Sequence, residues 1–162
     1  MAAPIVVRTA IEADLDTLAR LNQIVQSVHA ELYPDDFHAT ADVNGVKALF
    51  APRLANIAIA EIDGEAVGYI WCEVQTRPES PFTPAFRRLY VHHLSVLPDA
   101  RRRGVAAALM AHADAHAEGE ELDEIALSHW AANTSAQQFF AAQGFAPYQL
   151  LLRKKLSDGD QE

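Results

Sequence analysis

The chain has 162 residues, half of them apolar and 22% charged, with a formal net charge of −9. That is the size and balance of one soluble globular domain with a substantial core, and no apolar run approaches the ~20 residues needed to cross a bilayer. The acid surplus repels a phosphate backbone, which argues against a nucleic-acid partner, and it suits a cationic one such as an amine.

Pro4 to Arg8 carries Ile5, Val6 and Val7 and predicts a first strand. From Ala10 to Ala30, Leu15, Leu18, Leu21, Ile24, Val25 and Val28 recur at helical spacing, and acidic residues crowd the helix start. Tyr33-Pro34-Asp35-Asp36 breaks the pattern, and Thr40 is expected to cap a second helix that closes before Pro52. Two strands follow, Asn56 to Ile62 and Ala66 to Gln75, joined by the turn Asp63-Gly64-Glu65. Arg77 to Phe86, with three prolines, reads as an exposed loop. Leu89 to Leu97 predicts the central strand, and an Ala- and Leu-rich helix runs from about Gly104 to Glu118. A strand at Ile125 to Trp130, a short helix at Ser135 to Gln143 stopped by Gly144, and a last strand at Tyr148 to Leu156 complete the order. Residues 1–156 are expected to form one domain, with 157–162 as a polar tail. This order predicts a mixed sheet covered by helices on both faces.

The stretch from Leu94 to Ala106 organises the chain. A strand ends at Pro98, Arg101-Arg102-Arg103 forms a basic turn, and a helix opens at Gly104. Such a turn aims several backbone N–H groups and the positive end of a helix at one spot, which suits a phosphate or pyrophosphate. A bulky Cβ at Gly104 or Ala106 would hold that anion off the backbone.

Arg101-x-x-Gly104-x-Ala106 after Leu94-Ser95-Val96 resembles the Gln/Arg-x-x-Gly-x-Gly/Ala signature of the GNAT-type acyl-CoA-dependent N-acetyltransferase superfamily. A second segment strengthens the likeness: Trp130-Ala131-Ala132-Asn133, Ala136, Phe139-Phe140 and Gly144-Phe145 resemble the superfamily's Asn-x-x-Ala-x-x-Leu/Phe-Tyr-x-x-x-Gly-Phe. The resemblance implies an α/β (α+β) fold with a mixed, mostly antiparallel sheet of about six to seven strands, helices on both faces and splayed central strands. It implies acetyl-CoA as co-substrate and transfer of its acetyl group to a primary amine by direct reaction in a ternary complex. The amides of Arg101, Arg102, Arg103, Gly104, Val105 and Ala106 would take the diphosphate. Leu94, Ser95 and Val96 would line up the pantetheine, with Asn133, Ser135, Phe139 and Phe140 along the same arm. Asn133 also suits a helix N-cap. A homodimer is compatible with the family.

The acceptor amine must lose a proton, and a histidine suits that task. On the central strand, alternation puts Tyr90 and His92 with Leu94 on one face and His93 with Ser95 on the other. Tyr90 and His92 match the superfamily's base position best; a bulge would promote His93 instead, and Glu73 is a further candidate. Glu31, Tyr33, Trp71 and Glu73 are the expected substrate residues. Where the superfamily most often has a tyrosine, proposed to protonate the leaving thiolate, this chain has Phe140, which cannot donate. The rival that this departure supports is a non-catalytic acyl-CoA-binding sensor or interaction module. His112 and His116 stand four apart with no third ligand at a telling spacing, so no metal is expected. The lone Cys72 excludes an intramolecular disulfide, and Met1-Ala2-Ala3-Pro4 lacks the regions of a signal peptide. A cytoplasmic protein with no membrane partner is the expectation.

Overall fold

The structure, a computed structural model, describes residues 2–156. Strands β1 (Ile5–Thr9), β2 (Ile57–Ile62), β3 (Glu65–Arg77), β4 (Phe86–Val96) and β5 (Ile125–Leu127) form one sheet in sequential order. The first four pair antiparallel, and β5 lies parallel to β4. β2 and β3 meet in a tight turn with Asp63 and Gly64 both at positive φ, the geometry that matches the right-handed twist of a hairpin.

Helices α1 (Leu15–Leu32) and α2 (Val43–Phe50) cover one face; α3 (Val105–Gly119) and α4 (Thr134–Ala142) cover the other. Alternation along β2 explains the division. Ile57 and Ile59 face α1 and α2 with Leu18, Leu21, Phe50 and Tyr69. Small Ala58 and Ala60 face α3, whose buried stripe of Val105, Leu109, Ala113 and Ala117 repeats every four residues. Gly68 on β3 completes that close approach, since a Cβ there would stand 3.3 Å from Val105 Cγ1 and 3.4 Å from Leu109 Cδ1.

Three expectations need correcting. The cap of α2 is Asp42, whose carboxylate accepts from the Gly45 amide at 2.9 Å, because Thr40 lies too far ahead of the first turn. The sheet has five strands among the described residues, in place of six to seven. The expected strand at Tyr148 to Leu156 is absent because that segment pairs with no other strand of its own chain, and an unpaired strand has no ladder to hold it. The expected tail at 157–162 lies outside the described residues.

Candidate active site

The site is built on β4. Its pairing with β5 stops at Val91↔Leu127, where β5 ends, so beyond that point β4 has no strand on this side among the described residues. The Leu97 amide donates to the Val67 carbonyl on the β3 side. Alternation therefore turns the backbone groups of Leu94 and Val96 to the opposite, open edge. That edge is a run of main-chain donors and acceptors with no strand partner among the described residues, free to take an added strand-like ligand.

That edge leads into a turn at Pro98–Ala100 and then to α3. Arg102 and Gly104 both have positive φ, and Gly104 is the N-cap of α3 with no side chain capping it. The first N–H groups of α3 thus have no intrahelical acceptor and carry the positive end of the helix dipole. Arg101, Arg102 and Arg103 are exposed around them. Val105 is buried in the core, so only its amide is available to a ligand. Ser95 is also taken, because its hydroxyl donates to the Leu21 carbonyl at 2.8 Å and ties β4 to α1.

A bulge decides which way the catalytic candidates face. Trp71 pairs with His93 and Cys72 with Val91, leaving His92 as the extra residue. This corrects the simple alternation. Leu94 packs toward α3, whereas Tyr90, His92, His93 and Ser95 all turn to the α1 side. His92 stacks on Trp71 with ring centroids 4.3 Å apart, and Tyr90 meets its edge at 4.9 Å. The His92 Nε2 lies 3.2 Å from a Glu73 carboxylate oxygen, off the line a hydrogen bond needs. Two buried polar atoms here, His92 Nε2 and Trp71 Nε1, have no hydrogen-bond partner among the described residues. Buried polar groups are normally satisfied, so such a pair marks a place where a ligand's polar atoms fit. Arg53 holds the far side of Glu73 at 3.6 Å and lies 5.8 Å over the Trp71 ring.

The two histidines are not equivalent. Burial, with help from neighbouring His92 and His29, pushes His93 down to about 4. The Tyr69 hydroxyl, which accepts from Asn22, sits 2.9 Å from His93 Nδ1. A neutral, tied imidazole of this kind braces the core and is a poor base at neutral pH. Cys72 is buried, and desolvation pushes its thiol up to about 12, so it is no nucleophile.

Asn133 caps α4 through Oδ1, which accepts from the Ala136 amide at 3.1 Å, and its amide nitrogen has no acceptor among the described residues. Ser135 is exposed, and Phe139 and Phe140 pack half-buried against the α3-side core with Phe145. Tyr33 sits in an aromatic cluster that the sequence did not reveal as a unit. Its ring is 5.0 Å from Trp130, and His29 and Phe37 close on that indole at 6.2 and 5.1 Å. The Tyr33 hydroxyl accepts from the Ala132 amide, joining the end of α1 to the loop after β5. Glu31 is exposed and makes no ion pair among the described residues. Arg53 was also missed, and nothing in its sequence context marks it.

Residues 18–145 match the family model described as the acetyltransferase (GNAT) family. A protein of Archaeoglobus fulgidus described as an uncharacterized N-acetyltransferase is 33% identical over 147 residues, spanning 85% of this chain and 90% of that protein. The BH1408 protein from Bacillus halodurans, solved as a tetramutant, superposes with a TM-score of 0.83 at 18% identity over 93% of this chain and 99% of its own. The aminoglycoside N-acetyltransferase AAC(6')-Iy, solved in complex with CoA, superposes with a TM-score of 0.74 at 19% identity over 97% of each chain.

Proposed function

Because the chain belongs to the acetyltransferase (GNAT) family, we infer that it moves an acetyl group from acetyl-CoA to a primary amine by direct transfer. Acetyl-CoA supplies the acetyl group as an activated thioester. The uncapped α3 N-terminus and the amides of Arg101 to Ala106 suit its diphosphate, with the three arginine side chains adding long-range attraction. The open edge at Leu94 and Val96 suits the pantetheine arm, and the amide nitrogen of Asn133 a further contact on it. The cytoplasm is the setting we assign to it.

The acceptor needs deprotonation, which for a lysine-like amine costs ~4–5 kcal/mol at pH 7. His92 is the proton acceptor in this reading. Stacking on Trp71 fixes its ring, Glu73 lies 3.2 Å from its Nε2, and Tyr90, tied to Ser128 at 3.2 Å, flanks it. Trp71 and Glu73 contact the amine; Tyr33 and Glu31 stand at the outer rim. The observation that carries the reading is the bulge, which leaves His92 Nε2 without a hydrogen-bond partner on the same stretch of β4 whose edge is open.

The test is thiol release from acetyl-CoA over a panel of amines: peptide N-termini, lysine, polyamines and aminoglycosides. Turnover is expected with at least one class, and His92→Ala is expected to lower kcat by ~10²–10⁴. Equal activity of His92→Ala and wild type across pH would remove His92 from this role. Saturating binding with no thiol release from any amine would mark a non-catalytic acyl-CoA sensor, the reading that Phe140 favours.

A further inference from the structure

Hydrogen-bond donors outnumber acceptors around Trp71. Its indole is 8% exposed, and Nε1 has no partner among the described residues. An indole N–H only donates, so what it lacks is an acceptor such as a carboxylate oxygen. Deeper under the same face the buried polar groups are matched: Asn22 with Tyr69, Tyr69 with His93, and Ser95 with the Leu21 carbonyl. The deficit is confined to Trp71 and His92, where the substrate site lies.

Arg53, in the turn at Ala51–Asn56, is underused in the same way. Its Nη1 donates to the Leu49 carbonyl at 2.7 Å, and its remaining N–H groups make no hydrogen bond among the described residues. Glu73, 3.6 Å from Arg53 Nε, is close enough to attract the guanidinium but too far for a hydrogen bond. That guanidinium stands 5.8 Å over the Trp71 ring, so both sets of unused donors adjoin one indole. Next to them is a group of the opposite kind. Glu73 turns one carboxylate oxygen toward Arg53 and the other toward His92 Nε2, 3.2 Å away. An ammonium ligand alone would suit Glu73 and His92 and leave Trp71 Nε1 as it is. A ligand that also carries a carboxylate answers both demands, and Arg53 balances the second negative charge beside Glu73.

We propose that the acceptor is a free α-amino acid, whose carboxylate is held by Trp71 Nε1 and Arg53 while its amine lies at Glu73 and His92. This rests on the acyl-transfer reading and names its substrate class. The spacing selects the α position. One carboxylate, that of Glu73, separates Arg53 from His92, and both adjoin the same indole, so the amine and the acid must be carried close together. Nε1 is itself closed to solvent, and the partly exposed Arg53 side chain turns to admit the carboxylate. In the reaction the amine nitrogen bonds to the acetyl carbon as the carbon–sulfur bond breaks. Of the two ammonium protons that leave, one goes to His92 and the other to the departing thiolate, giving the N-acetyl amino acid and coenzyme A.

The chain has two tryptophans, and Trp130→Phe leaves the indole N–H signal of Trp71 alone in a proton–nitrogen NMR spectrum. With coenzyme A present, free α-amino acids are titrated in turn, each beside its decarboxylated amine. The Trp71 indole proton is expected to move downfield with at least one amino acid and to stay in place with the matching amine. In thiol release, that amino acid is expected to exceed its own carboxamide in kcat/KM by ~10–100-fold. Arg53→Gln should bring that ratio near one, and Arg53→Lys should keep part of it, as charge without the planar fork. An indole unmoved by every amino acid, as when water alone fills the site, would overturn the proposal, as would a ratio that Arg53→Gln leaves at the wild-type value. Thiol release with amines but with no amino acid would overturn it and leave acyl transfer standing. An indole shift without thiol release from any amine would uphold amino-acid binding and remove acyl transfer. Should Arg53→Gln fail to fold, the indole titration decides.

Discussion

Gly68→Ala tests whether the approach of α3 to the sheet is set by a missing methyl group. The new Cβ would lie 2.6 Å from the Ser95 carbonyl oxygen, 3.3 Å from Val105 Cγ1 and 3.4 Å from Leu109 Cδ1. The oxygen cannot easily retreat: Gly68 and Tyr69 are in register with Val96 and Ser95, and the Ser95 hydroxyl is bonded to α1. The 2.6 Å contact therefore strains the β3–β4 ladder, and the contacts to Val105 and Leu109 press α3 outward. Overpacking of this kind costs ~1–3 kcal/mol, offset by ~0.4–1 kcal/mol from the stiffer unfolded chain. The net loss is ~1–2 kcal/mol, which for a domain of this size lowers Tm by ~2–8 °C. Gly119→Ala is the control, since nothing lies within 4 Å of its Cβ, and it should be as stable as wild type or slightly more so. Thermal and urea melts followed by circular dichroism measure both. Because Val105 opens α3, the same displacement moves the proposed diphosphate site, and the Tm rise on adding acetyl-CoA should shrink in Gly68→Ala alone. Equal stability of the two variants would refute the packing argument.

Two further outcomes concern titrating groups. Hydrogen bonds from Arg8 at 2.8 and 2.9 Å hold the Asp14 carboxyl below its usual range, so its contribution is complete above pH ~4 and is lost as pH falls through the depressed value. Asp14→Asn should cost ~2 kcal/mol at pH 7 in urea unfolding, with the gap to wild type closing in acid. Burial holds His93 at about 4 in the folded protein against ~6.5 unfolded, so stability should fall as pH drops from 6.5 toward 4, by up to ~3 kcal/mol. His93→Gln should flatten that slope, and NMR of the imidazole nitrogens should find His93 uncharged at pH 6; a slope that persists in the variant would assign the effect to another group.

The local grammar of this chain was legible without any coordinates. Apolar spacing of 3.6 and 2 placed α1, α3 and β1 to β4, because amphipathic elements must turn one side to a core. The Arg101 to Ala106 turn was readable because glycine at positive φ and an uncapped helix start are written in residue types. Facing and partnership were not. One extra residue, His92, reverses the alternation of β4 and gathers His92 and His93 on one side, and a bulge depends on register with β3, which no local pattern encodes. The neutral state of His93 comes from burial beside Phe50 and Tyr69, far away in sequence. The segment Tyr148 to Leu156 has the pattern of a strand and takes none, because a strand exists only where another backbone answers its hydrogen bonds. Sequence determined which pieces could form; the meeting of distant backbones decided which ones did, and what they face.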